Sequence, residues 1–265
     1  MKKSICFAIL AIALSGTAGG IDFTMSAGAG GFIGGHFTRY ALSADGKIDA
    51  AVDGVSQKVN VEVVSKQDID QLNGGGFLFF DATWVEFNLG MLFGSYTYGQ
   101  TMYATSGGEV QTGSKEPETG KGWETMLSLS LLGKYPFVLN ERFTVFPLAG
   151  VDYQIALVQL RQVDGFKVHD RTDGIHEMLD TNEKPYTLSA WNALFIVLGG
   201  GMDFHFYRPF FLRTELLYSI RLQTPWEIDN LKRLKESVSA PDPQLSGLSS
   251  GPTLKIAAGW RFYAK

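Results

Sequence analysis

Apolar and polar side chains alternate strictly along the last segment of the chain, residues 252–265. One parity carries no charge and ends in aromatic side chains, and its members are Leu254, Ile256, Ala258, Trp260 and Phe262. The other parity carries Lys255 and Arg261 among smaller residues. Because a period of two is typical of a β-strand with unlike faces, this segment is predicted to be a strand with one apolar and one charged side.

The same alternation recurs in seven earlier segments of the chain. The predicted strands are about 22–40, 74–82, 84–104, 123–135, 142–163, 190–206, 210–223 and 252–265. The pattern is clearest in 210–223, whereas the register of the second strand is ambiguous because Phe77-Leu78-Phe79-Phe80 is apolar throughout. The chain is therefore predicted to be all-β, with eight strands.

Long and short connections alternate between these strands. The long polar ones are 41–73, 105–121, 164–189 and 224–251, and the short ones lie near 83, 136–141 and 207–209. An extra hairpin is expected near 59–64, and helical spacing of apolar residues predicts a short helix over 226–238. Long external loops and short periplasmic turns are typical of outer-membrane barrels. We predict an eight-stranded antiparallel up-and-down transmembrane β-barrel with four long external loops and three short periplasmic turns.

The two faces of the predicted strands differ in charge. The apolar parity of strands three, four, six, seven and eight contains no charged residue. The opposite parity carries acids, bases and a histidine: Glu86, Glu124, Lys134, Asp152, Asp203, His205, Arg213, Glu215, Arg221, Lys255 and Arg261. A soluble barrel of the lipocalin type would also alternate, with its apolar face turned inward. The charge-free face favours lipid outside, so we expect the charged side chains to pair within a narrow lumen.

Aromatic side chains are concentrated near both ends of the predicted strands. Near the short turns lie Phe23, Tyr135, Phe143, Phe204, Phe206, Phe210, Trp260 and Phe262. Near the long loops lie Phe37, Trp123, Trp191 and Tyr218. Two aromatic belts separated by aliphatic residues match the two water–lipid boundaries of a membrane.

Residues 1–18 have the features of a secretory signal peptide. Lys2 and Lys3 precede an apolar run that is too short to span a bilayer as a helix, and small residues follow it. We predict cleavage near Gly19 and a single barrel domain over 19–265. The only cysteine, Cys6, lies in the signal, so no disulfide is expected in the mature chain. The whole chain has a net charge of −4, which argues against nucleic acid as a partner.

The ending Gly259-Trp260-Arg261-Phe262 resembles the Gly-x-x-Phe signal that outer-membrane insertion machinery reads, although Tyr263-Ala264-Lys265 extends beyond it. Pro252, one strand length earlier, is similar to the OmpW pattern. The mature chain as a whole resembles the small eight-stranded barrels of the OmpA-transmembrane, OmpX and OmpW group. The resemblance implies a monomer in the outer membrane of a Gram-negative-type, diderm bacterium, with outer-membrane lipid and the barrel insertion machinery as its partners.

Two functions are compatible with such a barrel. The first, implied by the OmpW resemblance, is passage of small or hydrophobic molecules through a narrow channel. The alternative is a surface-exposed adhesin or structural barrel whose long loops bind host or matrix partners. A third, enzymatic function would need His36 near the loop end to pair with a loop Ser or Asp. No nucleophile motif occurs, so we expect neither an enzyme nor a cofactor.

One acidic loop contains weak candidates for metal ligands, namely His169, Asp173 and His176. Imidazole and carboxylate groups bind divalent metals. Because their spacing matches no metal-site template, we expect a hydrated loop and no metal.

Overall fold

The computed structural model describes residues 24–52, 55–106, 109–163, 166–171, 192–222 and 244–263. Nearly all of these residues are in strands, and no helix among them is long and apolar enough to cross a membrane. The strands are β1 (Thr24–Val52), β2 (Val55–Ala82), β3 (Val85–Ser106), β4 (Glu109–Lys134), β5 (Phe137–Val138), β6 (Phe143–Val163), β7 (Phe166–Arg171), β8 (Ala193–Tyr207), β9 (Phe210–Arg221) and β10 (Gln244–Tyr263).

Eight of the strands close into a ring of antiparallel neighbours. The order is β1, β2, β3, β4, β6, β8, β9 and β10, and β10 pairs back onto β1 with Gly28 opposite Gly259. The two short strands, β5 and β7, are additions that pair only with β6. The predicted eight-stranded up-and-down barrel is confirmed, including the closure of the last strand onto the first.

The wall of the ring has an apolar outside and a charged inside. Outward side chains such as Ile33, Leu216 and Ile256 are 55–63% exposed, whereas the inward Glu86 and Glu215 have no exposed surface. A soluble barrel would bury the aliphatic side chains and expose the acids. The structure therefore excludes the lipocalin-type alternative and is that of a barrel with lipid outside.

The structure also decides the register of the second predicted strand. Phe77 and Phe79 point into the lumen and are 5% and 3% exposed, whereas Leu78 and Phe80 lie on the lipid side. The tight turn predicted after it is confirmed, and it is fixed by a hydroxyl group. Thr83 Oγ1 accepts a hydrogen bond from the Thr24 amide at 2.8 Å and donates one to the Thr24 carbonyl at 2.9 Å.

Aromatic rings lie on the outer wall near both of its ends. Near the turns, Tyr135 lies 5.0 Å from Phe137, Phe143 lies 5.0 Å from Phe204, and Trp260 stacks on Phe262 at 5.2 Å. Near the loops, Phe93 and Trp123 stack at 6.3 Å. These contacts form belts of the kind expected from the sequence.

The strands extend much further on the loop side than the sequence pattern predicted, which corrects several boundaries. Residues 41–52 and 55–73 are the upper halves of β1 and β2, which stay paired without interruption up to Val52 opposite Val55. Most of 105–121 likewise belongs to β3 and β4, and 244–251 belongs to β10. The segment 59–64 is part of β2 and pairs with β1, so the extra hairpin expected there is wrong. Beyond the membrane a strand needs no continuous apolar face, so small and polar residues interrupt the alternation although the backbone ladder continues.

Several predictions fall on residues that the structure does not describe. They are the signal peptide at 1–18, the helix over 226–238, most of the loop 164–189, the belt members Phe23 and Trp191, and the final residues 264–265. The segment Phe166–Arg171 of that loop is described and forms β7.

Candidate functional site

A cluster of ion pairs fills the lumen near the turn end of the barrel. At its centre the guanidinium of Arg213 donates to Asp203 at 2.7 and 2.8 Å, to Glu86 at 2.6 Å and to Asp81 at 2.7 Å. Arg213 is 1% exposed. The strand period places it inward on β9, and antiparallel pairing puts Asp203 of β8 directly opposite. Such charge-assisted bonds are the strong class of hydrogen bonds.

Further charges surround this centre and balance it. Lys134 bonds to Asp81, Lys255 lies 4.0 Å from Glu215, and Arg261 lies 4.0 Å from Asp203. Arg261 also lies 3.0 Å from His205. We call the group the plug; its acids are Asp81, Glu86, Asp203 and Glu215, and its bases are Lys134, Arg213, Lys255 and Arg261. The plug therefore has equal numbers of acids and bases.

Aromatic rings close the remaining space around the plug. The guanidinium carbon of Arg213 lies 4.6 Å from the ring centroid of Phe79, 5.1 Å from that of Phe146 and 5.2 Å from that of Phe211. Contacts of this kind add cation–π stabilisation to the ion pairs. Phe211 is itself fully buried. The plug and these rings together close the turn end of the lumen.

A closed ring with an ionised, desolvated interior and an aliphatic exterior is stable only where lipid surrounds it. The chain is a small outer-membrane β-barrel. Its plug contains most of the charged lumen residues predicted from sequence, namely Glu86, Lys134, Asp203, Arg213, Glu215, Lys255 and Arg261, with His205 beside them. Asp81 was missed because the register of its strand was ambiguous. The sequence did contain a signal for the correct register, because the other register would turn Asp81 toward lipid.

The remaining predicted lumen charges lie apart from the plug, toward the loop end of the barrel. Asp152 accepts hydrogen bonds from Ser128 at 2.6 Å, Ser130 at 2.8 Å and Gln154 at 2.8 Å, all of them neutral donors. Glu124 accepts one from Gln71. The guanidinium of Arg221 lies 5.4 Å from the ring of Tyr40. The structure thus divides the predicted network into a paired plug and separate upper charges.

Two small cavities lie above the plug. The middle cavity has a volume of about 50 Å³ and borders polar groups of Asn73, Asn88 and Asp152, beside apolar Val197 and Leu217. The upper cavity has a volume of about 70 Å³ and is lined by Tyr96, Tyr98, Glu124, Phe195 and Arg221, among others. His36 and Gln154 border both cavities, so they separate the two spaces. Each cavity has room for a few water molecules.

His36 is buried at this boundary and lies close to a strand serine. Its Nε2 lies 3.4 Å from Ser219 Oγ, and its ring lies 5.0 Å from that of Phe195. Its Nδ1 has no partner among the described residues. The oxygens of the neighbouring Asp152 are bonded to serine and glutamine side chains. A histidine held by a carboxylate, which acyl-transfer chemistry requires, is thus not formed by the described side chains.

The wall beside His36 contains a break in its backbone ladder. Pairing of β1 with β10 stops at Gly34 opposite Thr253 and resumes at Phe37 opposite Ser250. The gap contains Pro252, which has no amide hydrogen to donate. Here Gly251 approaches the other strand so closely that a Cβ would lie 1.7 Å from the Gly35 carbonyl oxygen. We call this gap the seam.

Two side chains of β9 contact β10 at the seam. Ser219 Oγ donates to the carbonyl of Gly251 at 3.3 Å, and Tyr218 Oη lies 2.8 Å from Ser250 Oγ. Both contacts come from β9, so neither of them joins β1 to β10. The seam therefore lies next to the middle cavity and is held by side chains of a third strand.

The residues of the predicted insertion signal lie in the closing strand. Gly259 faces the lumen, where an added Cβ would lie 2.3 Å from the Phe211 ring. Trp260 and Phe262 face lipid and are 50% and 42% exposed. Recognition of these residues by the insertion machinery stays a prediction.

The structure describes none of the side chains of His169, Asp173 and His176. Among the side chains that it does describe, no three His, Cys, Asp or Glu residues are grouped so as to hold a metal ion.

Comparisons with known proteins give similarity at the level of structure. No family model matches the sequence, and no curated protein matches it. The chain is similar to the outer membrane protein OprG from Pseudomonas aeruginosa, with 11% identity and a TM-score of 0.35 over 89% of this chain and 98% of that one.

Two further solved structures are similar to the barrel. The attachment invasion locus protein Ail of Yersinia pestis has 12% identity and a TM-score of 0.29 over 91% of this chain and 100% of that one. The outer membrane protease OmpT from Escherichia coli has 8% identity and a TM-score of 0.30 over 92% of this chain and 99% of that one. Similarities of this size do not indicate a substrate or a partner.

Proposed function

We propose that this outer-membrane barrel passes small hydrophobic molecules from its external mouth into the upper lumen and releases them sideways through the seam. The route corresponds to the narrow channel expected from the OmpW resemblance, with an exit in the wall. The observation that carries the proposal is the combination of a closed plug below and an interrupted ladder beside the cavities. A solute that enters from the loop end meets the plug, so its exit must lie in the wall.

The lining of the cavities supports a route for molecules with an apolar body. Phe195 and Met126 face the upper cavity, and Leu92, Val197 and Leu217 face the middle one. Polar groups of His36 and Gln154 stand between them. Together the cavities hold little more than a small solute, so passage requires side chains to move rather than a permanently open pore.

The position of the seam supports release into the membrane. Pro252 pairs with Tyr218, an exposed residue of the upper aromatic belt, so the gap lies near the outer water–lipid boundary. Pro252 has no amide hydrogen, so β10 cannot donate a backbone hydrogen bond to β1 at this residue. A modest separation of β1 from β10 would therefore break few backbone bonds at this level.

A disulfide across the seam tests the route. Thr38 and Ser249 are paired residues next to the gap, and their hydroxyl oxygens lie 2.7 Å apart inside the lumen. The double variant Thr38→Cys with Ser249→Cys should slow uptake of a fluorescent hydrophobic probe by proteoliposomes when oxidised, and reduction should restore it. A matched control is Leu89→Cys with Leu129→Cys, a lipid-facing pair between β3 and β4. Equal uptake by the oxidised and reduced seam variant would reject lateral release.

Conductance measurements test the plug independently. Planar bilayers containing the wild-type barrel should show no sustained ion current, because paired side chains fill the turn end. A steady current through the wild-type protein would contradict a closed plug while leaving the seam untested by that experiment.

The height of the β1–β2 hairpin favours the second candidate, a surface adhesin. From Phe37 in the upper belt to Val52, β1 continues for about 50 Å along its axis at the usual rise per residue. Ala44 and Val63 are paired, so deletion of residues 44–63 shortens the hairpin without opening its lower part. If the barrel is an adhesin, this deletion should reduce binding of producing cells to collagen-coated surfaces. Unchanged binding would reject a role for the hairpin.

A further inference from the structure

The outer wall of the barrel has a broad depression at the level of the upper aromatic belt. Its volume is about 550 Å³. Phe37 of β1 and Leu72 of β2 form one side, Ser95 and Thr97 of β3 form the floor, and Asp70 and Lys121 stand at the rim. We call it the outer-wall depression. It lies outside the lumen, and its β1 side, formed by Gly35 and Phe37, borders the seam.

Strand register explains both the shape and the height of the depression. Leu72 pairs with Ser95, which pairs with Trp123, and this row still belongs to the apolar band. One outward row further from the turns, Asp70 pairs with Thr97, which pairs with Lys121. Short side chains on β3 therefore stand between larger ones on both sides. Because charge replaces apolar side chains between these two rows, the depression spans the boundary between acyl chains and headgroups.

The lower part of the depression is suited to an acyl chain. Phe37 and Leu72 are 53% and 61% exposed, and both project from the wall toward lipid. The neighbouring Phe93 and Trp123 are stacked and extend the apolar surface. A hydrocarbon chain that lies between these side chains would cover surface that is otherwise irregularly packed against the membrane.

The upper part of the depression has one lysine, Lys121, whose ammonium group is not held in an ion pair by a described acid. The two acids nearby are both held by Arg39, whose Nη2 donates to Asp70 at 2.5 Å and whose Nε lies 3.6 Å from Asp68. Lys121 is exposed and forms no ion pair with any acid that the structure describes. The hydroxyl groups of Ser95 and Thr97 stand nearby as hydrogen-bond donors. A cation with flanking hydroxyls at headgroup height is suited to a phosphate group.

We propose that the outer-wall depression binds one outer-leaflet lipid, with its phosphate-bearing headgroup at Lys121 and an acyl chain against Phe37 and Leu72. The site is a lipid site because the apolar half and the charged half share one surface that faces the membrane. A free phosphate ion would use only the rim.

Titration of the purified full-length barrel in detergent micelles with lipid A that carries both phosphates tests this assignment. Native mass spectrometry counts the lipids retained per barrel. Lys121→Gln should weaken retention about fivefold, the usual contribution of one lysine near an anionic surface. Ser95→Leu should also weaken it without changing charge, because the added side chain fills the floor. Lys66→Gln is the matched control, since Lys66 is an exposed lysine on the same wall beyond the depression.

Three results would overturn the proposal. The first is equal retention by Lys121→Gln and Lys66→Gln, and the second is retention of dephosphorylated lipid A as tightly as the phosphorylated form. The third is displacement of lipid A by an equal concentration of inorganic phosphate, which would assign the rim to free phosphate. A urea midpoint of unfolding equal to that of the wild type establishes, for each variant, that the barrel itself is intact.

Discussion

The turn half and the loop half of the lumen are filled by different kinds of side chains. In the turn half, every charge of the plug has an opposite charge within 4.0 Å, and aromatic rings fill the space between. In the loop half, neutral polar side chains predominate and two cavities remain. The comparison indicates that charge pairing, rather than the number of strands, decides where this narrow barrel is closed.

Unpartnered polar atoms show the same contrast. His36 Nδ1, Asn73 Oδ1 and Asn88 Oδ1 have no partner among the described residues, and all three residues border the middle cavity. A space that holds a few waters can satisfy such atoms. In the plug, the described buried atoms without a hydrogen bond are carboxylate oxygens next to bases, namely Asp81 Oδ1 and both oxygens of Glu215. Glu215 lies between Arg213 and Lys255 at 3.9 and 4.0 Å without a hydrogen bond to either, whereas the second oxygen of Asp81 is bonded to Arg213 and Lys134. Glu215 is therefore the most loosely held acid of the plug.

Removal of the central guanidinium should have the largest effect on stability. Arg213→Ala leaves Glu86 and Asp203 buried without their main partner and leaves Asp81 with Lys134 alone, and breaking a buried ion pair in this way costs about 3–5 kcal/mol. The measurement is the free energy of unfolding in urea for the barrel folded into lipid vesicles. Arg39→Ala removes an exposed ion pair from the outer wall and should cost at most about 1 kcal/mol. Equal losses for the two variants would show that the plug does not stabilise the barrel.

Substitutions that add a methyl group inside the lumen should also affect the stability of the two halves differently. Gly201 faces the plug, where a Cβ would lie 2.4 Å from the Phe146 ring and 3.0 Å from Glu215, so Gly201→Ala should cost about 1–3 kcal/mol by overpacking. Gly90 faces the middle cavity, and its Cβ would meet no atom closer than 3.5 Å. Gly90→Ala should change stability by less than about 0.5 kcal/mol.

The measurement is the urea concentration at the midpoint of unfolding, compared between variants whose unfolding free energy has the same slope against urea concentration. If Gly90→Ala were as destabilising as Gly201→Ala, the loop half would be as tightly packed as the turn half. The contrast between the halves would then concern charge only.

The sequence predicted the ring and its inner face because both depend on a period of two. In β9, each inward position from Phe211 to Ser219 is buried, so the alternation alone locates Arg213 and Glu215. Asp81 was not predicted, because Phe77 and Phe79 fill the lumen with apolar rings and hide the parity of their strand. Burial of large apolar side chains inside a charged lumen follows from what lies across the barrel, which local alternation does not show.

The seam and the tall hairpins could not be predicted for a related reason. The interruption at Gly35 and Pro252 depends on the register between the first and last strands of the ring, which is set only on closure. In the upper halves of β1 and β2, small and polar residues interrupt the apolar alternation, so the pattern indicated a loop where a backbone ladder persists. The enzymatic alternative required His36 to pair with a loop Ser or Asp, whereas the structure places it against Ser219 of β9.

Neutralisation of one carboxylate in each half of the lumen should also separate the two halves. Asp152 forms no ion pair with a described base, and its three hydrogen bonds come from neutral groups, two of which are hydroxyls that can rotate to accept instead of donate. Asp152→Asn should therefore cost no more than about 1 kcal/mol. Glu86→Gln makes the same neutralisation within the plug, where Arg213 loses a charged acceptor, and should cost about 2 kcal/mol. Urea unfolding in vesicles compares the two substitutions, each of which removes a charge and keeps the shape of the side chain. A cost for Asp152→Asn as large as that for Glu86→Gln would mean that the loop half also depends on a buried charge, and the division of the lumen into a paired plug and a polar, hydrated upper half would be wrong.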